Sequence, residues 1–212
     1  MSQGAKKTHQ TRSRKTRDKL LSALEDLLHE KDFADIGVTE IAAKAKVSAA
    51  TIYRRFDSKK GFIPVLFDLY IKRLEEWSVS PNARLELENC SLRQALYQIV
   101  RVGWQQLQAQ AHIMRAVHLH GRGHLGLMEG KASAFEESTL SGMRTLIEIY
   151  ADDIKRSDAD KTARMLAYYL NSILIEKGLF GNEGAVFGIA FSDDDFITEV
   201  SDFAFGYLTT PN

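Results

Sequence analysis

The chain has 212 residues, of which 44% are hydrophobic and 26% are charged. That balance is typical of a globular protein with a buried core. The longest uncharged apolar stretch spans residues 184–191, far short of the roughly 20 residues of a membrane helix. No apolar signal segment stands at the start, and Cys90 is the only cysteine. We therefore expect a protein of the reducing cytoplasm without an intrachain disulfide.

The formal net charge of zero hides an asymmetry between the two ends of the chain. Residues 1–60 carry 14 Lys and Arg against 8 Asp and Glu, whereas residues 61–212 carry 14 against 20. A basic end followed by an acidic body is typical of a protein that binds a polyanion through one end and does something else with the other.

Apolar residues recur at helical spacing along most of the chain, and it contains only three prolines. We therefore predict an all-α protein that begins with a disordered basic arm over residues 1–11. The predicted helices cover residues 12–31, 39–46, 49–56, 59–78, 91–110, 129–154, 158–179 and 194–208.

Several residues mark the ends of these helices. Thr39 and Ser48 are expected to cap the second and third helices, and Ser192 has the spacing of a capping box with Asp195. Pro64 should kink the fourth helix or mark a later start. Residues 165–175 are apolar nearly all the way round, which predicts burial on two sides and, in a chain this small, contact with a second copy.

Two short helices joined by a tight turn lie between Val38 and Phe62 and predict a helix-turn-helix. The second helix must enter a DNA major groove about 12 Å wide, so its outward side chains have to be small. Ala49, Ala50 and Thr51 meet that condition, and Thr51 can also contact a base edge. Inward-facing apolar side chains would hold the helices together, namely Ile41, Ala42, Val47, Ile52 and Phe56.

Cationic and hydroxyl side chains surround this segment at positions suited to phosphate contacts. Tyr53 and Arg54 can reach phosphates beside the groove, and Lys59 and Lys60 start the next helix, where the dipole favours an anion. Basic arms can enter the adjacent minor groove, which suggests a role for Arg14. The predicted DNA-binding residues are Arg14, Thr39, Lys46, Ser48, Ala49, Ala50, Thr51, Tyr53, Arg54, Lys59 and Lys60.

Residues 38–62, VTEIAAKAKVSAATIYRRFDSKKGF, resemble the DNA-binding signature of the TetR family of bacterial transcription regulators. The matching positions are Thr39, Ile41, Ala42, Ala45, Val47, Ser48, Thr51, Tyr53, Phe56, Ser58 and Lys59. The resemblance covers about residues 12–65. Lys46 departs from it, because the family usually has glycine in this turn and a positive φ costs other residues of order 1 kcal/mol.

This resemblance implies a regulator, in most cases a repressor, that binds a palindromic operator as a homodimer and is released by a small, largely apolar ligand. Residues 12–57 would bind DNA, and residues 58–212 would bind the ligand and form the dimer. The expected ligand-binding residues are Trp104, Met114, Phe135, Met143, Tyr150 and Tyr168. The expected dimer interface consists of Leu166, Leu170, Ile173, Leu174, Val200, Phe203 and Tyr207.

Other patterns carry weaker alternatives. Residues 121–126, GRGHLG, fit a dinucleotide-binding pattern, but that site needs a strand-helix-strand unit, so we predict a loop between helices. His118, His120 and His124 could bind a metal only if this loop folded back. We therefore expect no metal, no cofactor and no enzymatic activity. The remaining alternative is a helical architectural or interaction protein on DNA that responds to no small molecule.

Overall fold

The computed structural model describes residues 3–87, 89–121, 132–180 and 191–211, without the side chains of residues 3–12 and 132–135. Within these ranges the chain forms nine α-helices and no strand, which confirms the predicted all-α class. The helices belong to two compact units. One comprises Met1–Tyr70 with His112–Met128, and the other comprises Ile71–Ala111 with Glu129–Asn212.

The first unit combines one long N-terminal helix with several shorter ones. Its helices are α1 (Gln3–Leu28), α2 (Val38–Lys44), α3 (Ala49–Tyr53), the beginning of α4 (Ile63–Ser78) and nearly all of α6 (Ala111–Gly121). α1 packs against α2, and α2 packs against α3. The largest fully buried side chains of this unit are Leu20, Leu24, Ile36, Ile41, Ile52, Phe62, Ile63, Leu66 and Ile113. This unit extends past residue 57 and takes in α6 as well.

α1 begins at Gln3, so the N-terminal segment that we predict to be disordered is helical in the structure. Its residues are mostly Lys, Gln, Thr and Ala, with no proline. Lys, Gln and Ala are good helix formers, and the amphipathic stretch that follows can extend in the N-terminal direction at little cost because propagation needs no new nucleus. The apolar stripe starts later, at Leu20, which is why it marks only the second half of the helix.

The fourth helix starts later than its apolar pattern. Residues Lys59–Phe62 form a 3-10 turn, and α4 begins at Ile63 with Pro64 as its second residue. A proline there removes no helical hydrogen bond, because the first N–H groups of a helix have no partner. The late start is one of the two outcomes that Pro64 predicts. The ring of Phe62 stacks on Phe56 with centroids 4.0 Å apart, which anchors the turn in the core.

The second unit is formed mainly by four helices, α5 (Leu92–Ala109), α7 (Ala132–Ile149), α8 (Ala159–Phe180) and α9 (Asp193–Thr209), with the C-terminal part of α4. α5 packs against α8 and α9, and α8 also packs against α7. Its core includes Leu96, Val100, Trp104, Leu146, Leu166, Leu170, Val200 and Leu208. No helix among the described residues combines the length and the apolar character that crossing a bilayer requires.

Two of these helices begin with side-chain caps. Ser91 accepts the N–H of Gln94 at 3.3 Å, and the Gln94 side chain accepts the N–H of Ser91 at 2.9 Å. Ser192 accepts the N–H of Asp195 at 3.1 Å, which confirms it as the predicted cap of the last helix.

α6 is a helix to which the sequence analysis assigns no element. Its buried residues Ile113, Met114, Ala116 and Val117 have helical spacing, but the short run reads equally well as an extended strand. Gly121 ends α6, so the expected loop at GRGHLG, together with His124, otherwise lies outside the described residues.

Candidate nucleic-acid interface

α2 and α3 form the helix-turn-helix, and one apolar side chain holds α3 in place. Ile52 of α3 and Ile41 of α2 have no exposed surface. Elsewhere on α3 and just after it, Ala50 and Arg54 are exposed, and Tyr53 leaves 57% of its surface in solvent. α3 therefore offers a small alanine flanked by a phenol and a guanidinium on the side away from the core.

The turn between α2 and α3 is a Schellman motif. The N–H of Val47 donates to the carbonyl of Ala42 at 2.9 Å, and the N–H of Lys46 donates to that of Ala43 at 3.0 Å. This pair of bonds needs a left-handed residue between them, and Lys46 has a φ of 56°. The lysine therefore keeps the ordinary turn, at a strain of about 1 kcal/mol, and its side chain is exposed.

The first turn of α3 carries a connected polar cluster. Ser48 occupies the N-cap position but makes no capping hydrogen bond, so the predicted cap is wrong. Its hydroxyl lies 3.0 Å from Thr51 Oγ1 instead, and Arg54 Nη2 donates to the same oxygen at 3.2 Å. The Thr51 side chain therefore competes with the backbone N–H groups of α3 for the Ser48 hydroxyl. These groups retain hydrogen-bonding capacity for a base edge or a phosphate.

α2 starts one residue earlier than predicted, with Gly37 at its N-cap, so Thr39 lies within the first turn and does not cap the helix. Glu40 accepts the N–H of Gly37 at 3.4 Å and pairs with Lys31 at 2.6 Å. The hydrogen bond from Lys31 is the main cause of the lowered pKa of Glu40. Thr39 remains exposed on the surface of α2.

Lys59 has a different environment from the other predicted phosphate ligands. Its Nζ donates to the carbonyls of Phe33 and Ala34 at 2.8 Å and of Ile36 at 3.0 Å. An ammonium has three donors, so these bonds use all of them. Burial lowers the pKa of Lys59, and Asp35 opposes that shift. Lys59 therefore ties the segment before α4 to the segment after α1, and the expected phosphate contact is not open to it in this arrangement.

The other cations near α3 remain at the surface. Arg14 on α1 and Lys60 are exposed. Arg55 follows Arg54 and donates from Nη1 to the hydroxyl of Ser13 at 2.8 Å, which connects the end of α3 to α1. Arg55 is absent from the predicted site, because no local pattern links it to a serine 42 residues earlier.

The six residues expected to bind a ligand have unlike surroundings. Trp104 and Tyr150 are buried in the second unit, and Met114 is buried in the first. Met143 is half-buried, Tyr168 is 70% exposed, and the side chain of Phe135 lies outside the described residues. Tyr168 therefore differs from Trp104, Met114 and Tyr150, because its side chain is exposed and theirs are buried.

Tyr150 lies beside a groove of about 1060 Å³ in the second unit. Its hydroxyl donates to the carbonyls of Leu87 and Cys90, at 2.9 and 3.1 Å. Desolvation, followed by the hydrogen bond to the Cys90 thiol, raises the pKa of Tyr150 to about 12. The groove is lined by apolar and polar side chains, among them Leu85, Tyr97, Ile149, Arg84, Arg93 and Asp202.

The residues expected at a dimer interface divide into two groups. Leu166, Leu170, Leu174 and Val200 are between 1% and 9% exposed and belong to the core of their own unit. Phe203 is 69% exposed, and Ile173 and Tyr207 are half-buried. The exposed apolar side chains of α8 and α9 are instead Met165, Tyr168 and Phe203. The apolar pattern therefore does not distinguish the core positions of these helices from their exposed ones.

Comparison with known proteins agrees with this geometry. Residues 20–64 match the family model for bacterial regulatory proteins of the tetR family. No curated protein matches the chain.

Solved structures extend the likeness to the whole chain. A TetR transcriptional regulator from Rhodococcus sp. RHA1 is 19% identical, with coverage of 92% of this chain and 95% of that one and a TM-score of 0.55. PfmR from Thermus thermophilus, a TetR-family transcriptional regulator, is 16% identical (89% and 98% covered, TM-score 0.57). NalD, the secondary repressor of the MexAB-OprM multidrug efflux pump in Pseudomonas aeruginosa, is 15% identical (92% and 98% covered, TM-score 0.53).

At these identities the neighbours show a common fold, and the family model matches the segment that contains the helix-turn-helix, residues 20–64, to the TetR family of bacterial regulatory proteins. Such regulators are DNA-binding proteins and not enzymes.

Proposed function

We propose that this TetR-family regulator binds a palindromic operator as a homodimer, acts as a repressor, and is released from DNA by a small, largely apolar ligand. The observation that carries the proposal is the exposed surface of α3, where Ala50, Tyr53 and Arg54 face solvent while Ile52 anchors the helix. We assign DNA binding to residues 12–57, and ligand binding and dimerisation to residues 58–212. DNA binding would place the protein beside the chromosome in the bacterial cytoplasm.

In this proposal α3 lies in the major groove. Ala49 and Ala50 leave room for the helix to approach the bases, and Thr51 offers a hydroxyl and a methyl group to a base edge. Contacts to phosphates set the position of a protein on DNA and carry no direct sequence information. Lys46 is exposed in the turn before α3, and Tyr53 is exposed at the end of α3. We assign them, with Arg14, Thr39, Ser48, Arg54 and Lys60, to the backbone of the DNA.

Lys59 has a positioning role in this proposal. Its ammonium holds three carbonyls between α1 and α2, so it fixes the segment from which α2 starts. Hydrogen bonds from a charged donor contribute about 1.5–3 kcal/mol, and the loss of three such bonds would loosen the support of the helix-turn-helix.

The proposed homodimer forms through α8 and α9. Met165, Tyr168 and Phe203 are 46%, 70% and 69% exposed, and the Phe203 ring stacks on Tyr169 at a centroid distance of 5.3 Å. Large exposed aromatic side chains are enriched at protein interfaces. A two-fold dimer explains a palindromic operator, because its two recognition helices must reach half-sites about 34–36 Å apart.

The groove beside Tyr150 is the proposed ligand site. Its volume of about 1060 Å³ is at the upper end of the range for small-molecule pockets, and Leu85, Tyr97 and Ile149 supply apolar surface there. A ligand can release DNA only by as much as it prefers the conformation that binds DNA poorly. The proposal therefore requires that ligand and operator weaken each other's binding equally.

The test begins with selection of bound duplexes from a random DNA pool, followed by anisotropy titrations with full-length protein. We expect a palindromic consensus. Replacing Tyr53 or Lys60 with Ala should weaken binding to all sequences, and Lys60→Ala, which removes a positive charge, should also lower the salt slope by about 0.9. Thr51→Ala should change the preferred sequence instead. Lys161→Ala, an exposed lysine in the second unit, is the matched control and should bind as the wild type does.

Failure to select any duplex, even in dilute buffer, would contradict the proposal. A non-palindromic consensus would contradict the homodimeric arrangement. Thermal-shift measurements against a library of small apolar compounds test the ligand, since a ligand of the folded state raises the melting temperature with its concentration. A protein that binds its operator but responds to no compound would be an architectural DNA-binding protein.

A further inference from the structure

We propose that Glu25, His29 and His112 form a binding site for one divalent first-row transition-metal ion, with Zn²⁺ as its representative. One ligand atom from each of these residues lies within 4.8 Å of the others. All three belong to the first unit. No metal site is expected from the sequence, and the three residues, here called the α1–α6 cluster, lie outside the group His118, His120 and His124.

The backbone places two of the three ligands on one face. The N–H of His29 donates to the carbonyl of Glu25 at 3.3 Å, so the helical geometry of α1 continues to His29. Residues four apart on a helix are neighbours on its surface. The third ligand, His112, is the second residue of α6 and lies against these two residues. Its ring lies 3.7 Å from the ring of His29, and its Nε2 lies 3.4 Å from Glu25 Oε1.

These separations are close to the distances between ligand atoms around a coordinated ion. Zinc binds imidazole nitrogen at 2.0–2.1 Å and carboxylate oxygen at 2.0–2.2 Å, so two ligands at the tetrahedral angle lie about 3.4 Å apart. The distance between Glu25 and His112 already has that value. Because all three ligand atoms lie within 4.8 Å of one another, no separation has to shorten by more than about 1.4 Å for the same geometry. Since His29 is exposed, its ring can turn to make this change.

The members of the cluster differ in burial. His112 and Glu25 are shielded, with 10% and 16% of their side-chain surfaces exposed, whereas His29 is exposed. A divalent ion uses both imidazoles in their neutral form together with the carboxylate, and so gives each member of the cluster a role.

The ligand types select the class of metal. Two imidazole nitrogens with one carboxylate oxygen suit Zn²⁺, Co²⁺ or Ni²⁺, whereas Mg²⁺ and Ca²⁺ prefer oxygen ligands. Three protein ligands leave a fourth tetrahedral position for water, and the exposed side of the cluster at His29 gives solvent access to it. The proposed ion would link α6 to α1, the helix that packs against α2. Metal binding would therefore stabilise the folded first unit relative to the unfolded chain.

The experiment uses the full chain without a histidine tag, stripped of metal by a chelator. Isothermal titration with Zn²⁺ should give one ion per chain, and Co²⁺ should show the intense visible bands of tetrahedral coordination. His29→Ala and Glu25→Gln should each weaken Zn²⁺ binding by more than tenfold, because even outer-shell partners contribute 10–100-fold. His120→Gln, a change on α6 outside the cluster, is the matched control and should leave the affinity unchanged.

Melting temperature separates loss of the site from loss of the fold. Metal-free His29→Ala should melt like the metal-free wild type, because His29 is exposed, and it should lose the rise in melting temperature that Zn²⁺ gives the wild type. The proposal is overturned if the wild type binds no Zn²⁺ stoichiometrically, or if His29→Ala binds it as tightly as the wild type does. Neither outcome affects DNA binding, which is measured separately with metal-free protein and the selected duplex.

Discussion

The helix-turn-helix and the pair α8–α9 differ in how their apolar residues are used. In the helix-turn-helix, Ile41 and Ile52 are buried inside the unit, and the outward positions are small or polar. In α8 and α9, Leu166 and Val200 are buried in the same way, but Met165, Tyr168 and Phe203 extend into solvent. An apolar position in the helix-turn-helix therefore indicates a core residue. In α8 and α9 it can indicate either a core residue or an exposed one.

The difference shows what short and long helices can do. α3 has only five residues, so one buried isoleucine and the turns on either side hold it, and the rest of its surface is available to a partner. α8 has 22 residues and is long enough to bury one face in its own unit and to leave a second apolar face for another molecule. Substitutions at buried apolar positions should accordingly reduce the free energy of unfolding. Substitutions at exposed apolar positions of α8 and α9 should weaken the proposed dimer instead.

The largest effect is expected from Phe62→Ala. Phe62 has no exposed surface and stacks on Phe56 at 4.0 Å, so removing its ring should lower the free energy of unfolding by about 3–5 kcal/mol. Urea denaturation followed by circular dichroism measures this change. Leu119→Ala, at a position that is 51% exposed on α6, is the control and should shift the free energy of unfolding by no more than about 0.5 kcal/mol. Equal losses of stability in the two variants would contradict the assignment of Phe62 to the core and of Leu119 to the surface.

A smaller effect, on assembly and not on folding, is expected from Phe203→Ala and Tyr168→Ala. Each should weaken the proposed homodimer by about 2 kcal/mol, or roughly 30-fold in the dissociation constant, the size typical of an aromatic interface anchor. Sedimentation equilibrium over a range of concentrations measures it. Ile149→Ala, another half-exposed apolar position on α7, should leave the dissociation constant unchanged. If it weakens the dimer more than Phe203→Ala does, the interface is not the exposed face of α8 and α9.

Tyr150→Phe should lower the free energy of unfolding by about 1–2 kcal/mol, because two carbonyls lose their hydroxyl donor. The pKa of Tyr150 is raised to about 12 in the folded chain, against about 10 for a free tyrosine. The folded state therefore holds its proton over this interval. The advantage of the wild type over Tyr150→Phe should be complete below about pH 10 and should decline as the pH rises towards 12. Denaturation curves of both proteins across this range measure it, and an advantage that grew with pH would contradict the assignment.

The smallest effect is expected from Lys46→Gly, which should raise the free energy of unfolding by about 1 kcal/mol because glycine adopts a positive φ without strain. The same change should weaken DNA binding and reduce its salt slope by about 0.9, if Lys46 contacts a phosphate. Chemical denaturation and anisotropy titration give the two values on one sample. A stabilised variant with an unchanged salt slope would show that Lys46 forms part of the turn and contacts no phosphate.

Much of the first unit can be predicted from the sequence because its determinants are local. The spacing of Ile41 and Ile52, the stripe that starts at Leu20, and the effect of Pro64 all act within a few residues of their positions. The same holds for the strained turn at Lys46, whose φ of 56° is what a residue in the place of glycine has to adopt. The predicted cap at Thr39 is wrong because α2 begins at Val38 with Gly37 as its N-cap. Ser48 makes no capping hydrogen bond, and its hydroxyl lies beside Thr51 Oγ1 instead.

The sequence by itself determined the helical class, the position of the helix-turn-helix and the outward residues of α3, because backbone preferences and short-range periodicity decide these features. Only the tertiary structure decided that Lys59 binds three carbonyls, that Leu166 and Val200 are core residues, and that His112 meets Glu25 and His29. These contacts join residues between 23 and 87 positions apart or depend on which face of a helix meets its neighbour. A linear pattern records which side chains are apolar or charged, but the partner of each is set by how the helices pack.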